Sequence, residues 1–263
     1  MKILLIGDIV GKGGRRAVSH FVPKLKKEYN CCFCIANGEN MAGGSGLTAK
    51  CARSLLQAGV DVITSGDHVW DQKDFVSQIE DFKNILRPAN VSSSQPGLGY
   101  NIYPLPIGGK IAVINLLGQV FMGKQTNSPF EAADVIVKKV SQQTNIIFVD
   151  FHAEATSEKI AMGRFLDGRV TAVFGTHTHV ETADEKILKK GTAYQTDLGM
   201  VGAVDSVLGR DVEAVIHRFL TGMPAKFSVI EKGIKLCASI VDFDIKSGRA
   251  KSIQRIVREF INC

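Results

Sequence analysis

Apolar and β-branched residues cluster in short runs along this chain, and amphipathic stretches separate most of the runs. Buried strands give short apolar runs, whereas helices repeat their apolar positions every three to four residues. The pattern predicts strands over 2–7, 32–36, 60–64, 111–117, 146–150 and 170–175. It predicts helices over 15–29, 48–58, 71–82, 129–140, 157–166 and 211–220. Pro23 must kink the first helix or mark its start, while Thr48 and Gly59 are typical of the two ends of the second.

The order of these elements predicts the fold class. Strands that alternate with helices indicate a mostly parallel sheet. The tail differs, because residues 226–230, 234–245 and 252–257 are strand-rich, which predicts antiparallel strands and a second sheet. An α/β fold with two sheets and helices outside them, a four-layer α/β/β/α sandwich, therefore fits better than an open doubly wound sheet. No linker or repeat interrupts residues 1–263, which predicts a single domain.

Five polar segments each follow one of the apolar runs. They bring acidic, amide and imidazole side chains to predicted strand ends, namely Asp8, Glu39, Asn40, Asp67, His68, His152, His177 and His179. Ligands of open α/β sheets bind beyond the carboxyl ends of the strands. Imidazole and carboxylate are ligands that suit Zn, Fe and Mn. The sequence therefore predicts a metal site assembled from several strand ends.

The spacing within the segments sharpens this prediction. His177 and His179 lie two positions apart, so on extended backbone they would project to one side and suit one metal or two adjacent metals. Asp67 and His68 are neighbours and cannot both face one point from a regular strand, so one is expected to bind metal and the other to reach the substrate. Asp8 could instead cap the following turn, and Glu39 could be a solvated loop residue.

Two phosphate-binding motifs are excluded near the amino terminus. In GDIVGKGG the distance from Gly7 to Gly11 is one residue too short for a Walker A loop, and Gly13 replaces its Ser or Thr. Arg16 stands where a dinucleotide fingerprint requires its third Gly. Asp8 is therefore better interpreted as a metal ligand than as part of a nucleotide loop.

Composition excludes several classes of protein. With 45% hydrophobic and 22% charged residues, the chain has the composition of a soluble globular domain. It contains no apolar run of membrane-spanning length and no signal peptide, which predicts a cytoplasmic protein without membrane attachment. The net charge of +6 is spread along the sequence. That distribution favours a solvated surface over a polyanion-binding face, although it would help to steer a phosphate substrate.

The remaining reactive side chains are interpreted as structural. Cys31 and Cys34 form C-x-x-C by count, but they run directly into an apolar stretch, which predicts buried strand residues. Trp70 is expected to pack within the protein rather than to stack on a base. His20 and His217 lie on predicted helices and are expected to be ordinary histidines.

Together, the motifs resemble those of the calcineurin-like metallophosphoesterases. That superfamily has a strand-end Asp, a second acidic motif, G-N-H-[DE], an isolated His and G-H-x-H in this order. Within it, IGDIVG, NGEN, H-x-W-D, DFHAEATSEK and GTHTHV-x-TAD are similar to the bacterial YmdB-type cyclic-nucleotide phosphodiesterases. The similarity runs from Met1 to at least the segment GTAYQTDLGM.

The resemblance implies a four-layer fold and a site for two transition-metal ions, typically iron, manganese or zinc. One metal would be held by Asp8, Asn40 and His179. The other would be held by Asp67, His152 and His177. Glu39 would bridge the two metals, and His68 would be the proton donor.

Two positions depart from the superfamily pattern. The first motif usually is D-x-H, whereas Ile9 and Val10 follow Asp8, as in the YmdB-type branch. Asp67 stands where the family has Asn. An Asp can still bind metal, but it adds a negative charge beside the metal and near the substrate phosphate.

Two functions of different classes follow. The first is a cytoplasmic phosphodiesterase with two metals that hydrolyses 2′,3′- or 3′,5′-cyclic nucleotides through a metal-activated hydroxide, with His68 as proton donor. The second is a regulatory or RNA-associated protein that keeps the metal site but turns over slowly. An RNA partner and a homo-oligomer stay open. A TIM-barrel amidohydrolase is disfavoured, because its H-x-H pair belongs on the first strand and His177 and His179 lie two-thirds along this chain.

Overall fold

The chain forms two β-sheets flanked by helices, in a computed structural model that describes residues 1–106 and 108–260. In chain order the strands are β1 (Lys2–Ile6), β2 (Asp8–Ile9), β3 (Cys31–Asn37), β4 (Val62–Thr64), β5 (Tyr100–Pro104), β6 (Lys110–Leu117), β7 (Ile147–His152), β8 (Ala172–Thr176), β9 (Lys186–Ile187), β10 (Ala193–Gln195), β11 (Met200–Ala203), β12 (Ile234–Phe243) and β13 (Ala250–Phe260). The helices are α1 (Gly11–Tyr29), α2 (Ala49–Gln57), α3 (Pro129–Val140), α4 (Thr156–Leu166) and α5 (Val212–Thr221).

Local capping fixes several helix starts that the sequence predicted. The Thr48 hydroxyl accepts a hydrogen bond from the backbone N–H of Cys51 at 3.2 Å, which confirms it as the cap of α2. The Asp211 carboxylate accepts from Ala214 N–H at 2.9 Å and caps α5 in the same way. Helix α1 begins at Gly11, one turn before the predicted start, and Pro23 lies inside it.

The strand pairings place parallel strand ends on a common side of each sheet. In the first sheet, β1 pairs in parallel with β3, and β3 with β4. In the second sheet, β6, β7, β8 and β10 are successive parallel neighbours. The carboxyl ends of these strands therefore lie at one edge of each sheet, where α/β proteins build their ligand sites.

Successive side chains along a strand point to opposite faces of its sheet, and this alternation creates the four layers. Leu4 and Ile6 of β1 pack into one core with residues of α1 and α2. Ile3 and Leu5 point to the opposite face and pack with residues of the second sheet, such as Val113 and Phe148. The other face of the second sheet packs against α3 and α4. The predicted α/β/β/α sandwich is thus confirmed.

The carboxy-terminal strands are antiparallel as predicted, but they do not form the second sheet. Strand β12 inserts into the first sheet, where Ile3 pairs with Val241 and Val201 pairs with Leu236. Strand β13 then pairs with β12. Eight of the ten residues of β12 are buried, which suits a central strand covered on both faces. The second sheet is built from β5 to β10, in the middle of the chain.

The predicted helix over 71–82 is wrong. Only two short 3₁₀ turns form there, Lys73–Phe75 and Ile79–Asp81. The Ser77 hydroxyl donates to the Asp74 carbonyl at 3.1 Å, and the Gln78 N–H donates to the Phe75 carbonyl at 3.0 Å. The first of these contacts is a side-chain bond that competes with α-helical hydrogen bonding. Phe75, Ile79 and Phe82 are still buried, in the core that also contains residues of α2.

Two further expectations concern cysteines and membranes. Cys31 and Cys34 lie in β3 and are buried, which confirms that they are strand residues. Within residues 1–106 and 108–260, none of the helices combines the length and the apolar character that a membrane crossing requires.

Candidate metal centre

The residues predicted as metal ligands lie at the edge where the two sheets meet. Asp8 follows β1, Glu39 and Asn40 follow β3, and Asp67 and His68 follow β4, all in the first sheet. His152 ends β7, and His177 and His179 follow β8, in the second sheet. Their side chains converge from both sheets, because the parallel strands of each sheet end there.

Four of these side chains form a tight cluster. The ligand atoms of Glu39, Asp67, His152 and His177 all lie within 4.8 Å of one another. His152 Nε2 is 3.1 Å from Glu39 Oε1, 3.3 Å from Asp67 Oδ1 and 3.1 Å from His177 Nδ1. Carboxylate and imidazole groups that converge in this way could hold a divalent metal ion.

A second group lies directly beside the first. Asp8 Oδ1 is 4.0 Å from His179 Nε2 and 3.8 Å from His152 Nδ1. The Asn40 amide nitrogen lies 3.1 Å from His179 Nε2 and donates to Glu39 Oε1 at 3.0 Å. Asn40 and Glu39 thus connect the two groups.

Two buried carboxylate oxygens in this region have no hydrogen-bond partner among residues 1–106 and 108–260. They are Asp8 Oδ1 and Asp67 Oδ1, and each points toward neighbouring candidate ligands. A buried carboxylate oxygen without a donor is costly, whereas coordination to a cation satisfies it. The donor set and these two atoms therefore fit a cation at this position.

The charges of the cluster favour a positive centre. Burial raises the pKa of Asp8 well above its ordinary value, although nearby His152 opposes the shift. Burial would also raise the pKa values of Glu39 and Asp67, but contact with His152 lowers both. Against its own burial, His152 has a strongly raised pKa because Glu39 and Asp67 surround it. The carboxylates therefore stabilise positive charge at His152, in the middle of the cluster.

His177 and His179 do not lie on extended backbone, so the expected geometry is wrong there. Strand β8 ends at Thr176, and the two histidines have left-handed φ angles of 102° and 65°. The His177 N–H donates to Asp8 Oδ2 at 3.0 Å, which fixes the turn against the first sheet. Positive φ at residues other than Gly is costly and is found where surrounding contacts enforce it.

A buried ion pair supports this turn, and sequence inspection did not single it out. Lys159 Nζ lies 2.6 Å from Asp197 Oδ2, and both side chains are almost fully buried. The same carboxylate accepts from the N–H of Thr178 at 3.2 Å and from that of Gly199 at 2.8 Å. Both residues fall in segments with family resemblance, which was the available signal.

A buried polar network beneath His152 also escaped sequence inspection. The Asn37 amide donates to Asp150 Oδ2 at 3.1 Å, and the Thr176 hydroxyl donates to Asp150 Oδ1 at 2.7 Å. His152 Nδ1 lies 2.8 Å from the Thr176 hydroxyl. The Thr64 hydroxyl also donates to Asp150. Partners of this kind orient an imidazole so that its other nitrogen faces the cluster.

His68 stands apart from the cluster on the solvent side. Its side chain is 38% exposed, and its Nδ1 lies 2.7 Å from Asp71 Oδ2. Its backbone N–H donates to Glu39 Oε2 at 3.3 Å. Asp67 is more buried, and its Oδ1 faces His152, while its Oδ2 lies 3.8 Å from His68 Nε2. The turn before them needs Gly66, because a Cβ there would lie 2.2 Å from the His152 ring.

A cleft of about 400 Å³ opens over these residues. Its polar side includes Glu39, Asn40, His68, His177 and His179. Trp70 is not part of its lining. The indole packs on the core of the first sheet and donates to Gln95 Oε1 at 2.7 Å, which confirms that Trp70 packs.

Comparison with known proteins gives a consistent family. Over 257 residues the chain is 49% identical to the 2′,3′-cyclic-nucleotide 2′-phosphodiesterase of Bacillus subtilis, a match that covers 98% of this chain and 97% of that protein. The crystal structure of a novel phosphatase from Mycoplasma pneumoniae matches with a TM-score of 0.92 at 35% identity, covering 98% of this chain and 93% of that one. A hypothetical protein from Thermus thermophilus matches with a TM-score of 0.91 at 38% identity, covering 98% and 99%.

The family assignment follows from the sequence pattern, the fold and these similarities. A family model described as YmdB-like protein matches residues 4–256, which is nearly the whole chain. The resemblance noted from the strand-end motifs is therefore confirmed, and the chain belongs to the YmdB-like family.

Proposed function

We propose that this protein is a metal-dependent phosphodiesterase that hydrolyses 2′,3′-cyclic nucleotides. The observation that supports this most directly is the convergence of Glu39, Asp67, His152 and His177, whose ligand atoms lie within 4.8 Å of one another below an open cleft. The substrate class is taken from the Bacillus subtilis relative, which is named for that activity. Hydrolysis of 3′,5′-cyclic nucleotides is the alternative within the same chemistry.

The proposed site would hold two divalent ions, of iron, manganese or zinc. Asp8, Asn40 and His179 would hold one ion. Asp67, His152 and His177 would hold the other, and Glu39 would contact both. The unpaired oxygens Asp8 Oδ1 and Asp67 Oδ1 support this division, because they lie in different groups. The Asn40 side chain would turn its oxygen toward the ion, since an amide binds metals through oxygen.

When two such ions are bound, they polarise the phosphoryl group and lower the pKa of coordinated water. The leaving alkoxide oxygen also needs a proton, which a side chain of the protein would supply. His68 lies in the cleft without belonging to the ligand cluster, so we assign it the protonation of the leaving alkoxide oxygen. The carboxylate of Asp71, 2.7 Å from Nδ1, would fix the ring so that Nε2 faces the substrate.

Asp67 changes the charge of this site relative to the Asn that the family resemblance expects. A third carboxylate joins Asp8 and Glu39 around the two ions. The site would therefore attract an anionic phosphodiester less strongly than one with Asn. This charge is the feature that favours the alternative function, a regulatory or RNA-associated protein with slow turnover.

One experiment tests the proposal. The purified protein would be loaded with Mn²⁺, Fe²⁺ or Zn²⁺, analysed for metal, and assayed with 2′,3′- and 3′,5′-cyclic nucleotides, linear dinucleotides and phosphomonoesters. We expect hydrolysis of the 2′,3′-cyclic nucleotides to dominate and to disappear in the Glu39→Gln variant. Metal binding without turnover of any phosphodiester would instead favour the regulatory function. Absence of metal under every loading condition would refute both functions.

A further inference from the structure

We propose that the cleft contains a nucleobase-binding subsite whose stacking surface is Phe219, with Leu208 and Phe227 beside it. This inference rests on the proposed function, because it names the part of the substrate that the apolar side of the same cleft would hold. The polar side of the cleft accounts for the phosphate. The apolar side has no assigned partner.

One part of the cleft lining, called the wall here, is apolar and partly aromatic. It consists of Val10, Val207, Leu208, Val215, Phe219 and Phe227. Phe219 lies near the end of α5 and is 86% exposed, which is unusual for a phenylalanine. Aromatic rings bind nucleobases through their faces, and every base offers such a face. Phe219 therefore has the chemistry and the accessibility of a stacking platform.

This wall is in direct contact with one of the proposed metal ligands. The Leu208 carbonyl lies 3.2 Å from His179 Nδ1, so the same residue touches a proposed ligand and lines the wall. Leu208 has a left-handed φ of 53° within a turn closed by reciprocal hydrogen bonds between Val207 and Arg210 at 2.9 and 3.0 Å. The wall therefore adjoins the metal cluster. A small molecule that carries both a base and a phosphate would contact both.

Charge in the cleft also favours a nucleotide over a plain apolar ligand. Arg210 lines the same cleft and donates to the Gly44 carbonyl. An anionic ligand with an apolar, aromatic body matches a guanidinium next to a phenylalanine wall.

The test compares substrates with and without a base. The wild-type protein and the Phe219→Ala variant would be assayed with adenosine 2′,3′-cyclic phosphate and with methyl ribofuranoside 2′,3′-cyclic phosphate. Loss of one base–aromatic stack corresponds to about 5- to 150-fold in affinity. We expect KM for the nucleotide to rise about tenfold in the variant, with kcat little changed, and KM for the base-free substrate to stay the same.

Two matched variants control for folding and aromaticity. Leu220→Ala removes a neighbouring side chain on α5 that is 80% exposed and does not line the cleft, so its kinetics should equal wild type. Phe219→Trp should retain the low KM for the nucleotide. Equal effects of Phe219→Ala on both substrates, or none on either, would overturn the subsite. A change of oligomeric state in Phe219→Ala without substrate would also overturn it, by assigning the residue to a contact between copies.

The failure of the proposed function would be visible separately. If the wild-type protein hydrolyses neither substrate with any metal, the phosphodiesterase assignment fails. The subsite would then be judged by calorimetric titration with adenosine monophosphate and ribose 5-phosphate. Tighter binding of the nucleotide that is lost in Phe219→Ala supports the subsite, and equal binding of the two compounds refutes it.

Discussion

Removal of the His68 imidazole should slow the chemical step without emptying the metal site. The reason is geometric. The four clustered ligand atoms belong to Glu39, Asp67, His152 and His177, and His68 is not among them. Its Nε2 lies 3.8 Å from Asp67 Oδ2, too far for direct contact with that oxygen. His68→Ala therefore deletes a proton donor and leaves the donor atoms of the proposed ligands in place.

The expected magnitude follows from the proposed chemistry. A positioned general acid contributes about 10²–10⁴ to the rate, so kcat of His68→Ala should fall by that factor. The side chain is 38% exposed and fills no core position, so the free energy of unfolding should change by about 0.5 kcal/mol or less. For a chain of this size such a change moves the thermal midpoint by only about 1–2 °C.

The assay measures kcat, metal content and thermal midpoint on the same preparation. His20→Ala is the matched control, since His20 is an exposed histidine on α1 outside the cleft. Asp71→Asn tests the orienting contact at 2.7 Å and should lower kcat by less than His68→Ala does. A substrate with an activated leaving group, such as p-nitrophenolate, needs less protonation and should lose less rate.

Two results would refute this assignment. If His68→Ala lost metal in proportion to activity, His68 would be a ligand. If its rate loss were the same for activated and unactivated leaving groups, protonation of the leaving oxygen would not be its function.

Three further predictions concern the metals, the extra carboxylate and the thiols. Elemental analysis should find about two transition-metal ions per chain, and fewer in His177→Ala and Glu39→Ala; wild-type content in both variants would contradict the ligand assignment. Asp67→Asn should keep the metals and lower KM for an anionic phosphodiester in steady-state kinetics, whereas joint loss of metal and activity would refute this. Burial raises the pKa of Cys31 to about 11 and raises that of Cys34, so mass spectrometry should show slow alkylation of both in the native protein; rapid alkylation with inactivation would contradict their structural assignment.

The strand-end residues could be predicted from the sequence because two simple regularities coincide there. Parallel strands buried on both faces appear as short apolar runs, and their carboxyl ends meet at one edge. An acidic or imidazole side chain directly after such a run, as with Asp8 or His152, must therefore lie near the others. No knowledge of strand order is needed for that conclusion.

The residues that orient the ligands could not be found in this way. Asn37 and Asp150 lie inside the strand pattern and are separated by 113 positions, so their hydrogen bond depends on how the two sheets face each other. The pattern of apolar and polar residues also could not predict the backbone conformation of His177 and His179. Their positive φ angles are held by tertiary contacts, such as the bond from His177 N–H to Asp8.

The position of the carboxy-terminal strands, which the sequence analysis assigned to the wrong sheet, explains how Asp8 is held. The two-residue strand β2 contains Asp8 and pairs with β11, and the Asp8 N–H donates to the Gly199 carbonyl at 2.9 Å. Strand β11 in turn pairs with β12, the strand that sequence inspection had assigned to another sheet. Gly7 N–H also donates to the Cys237 carbonyl of β12 at 3.2 Å. The carboxy-terminal strands thus fix the position of a side chain near the amino terminus, and the metal centre depends on closure of the first sheet as much as on the motifs themselves.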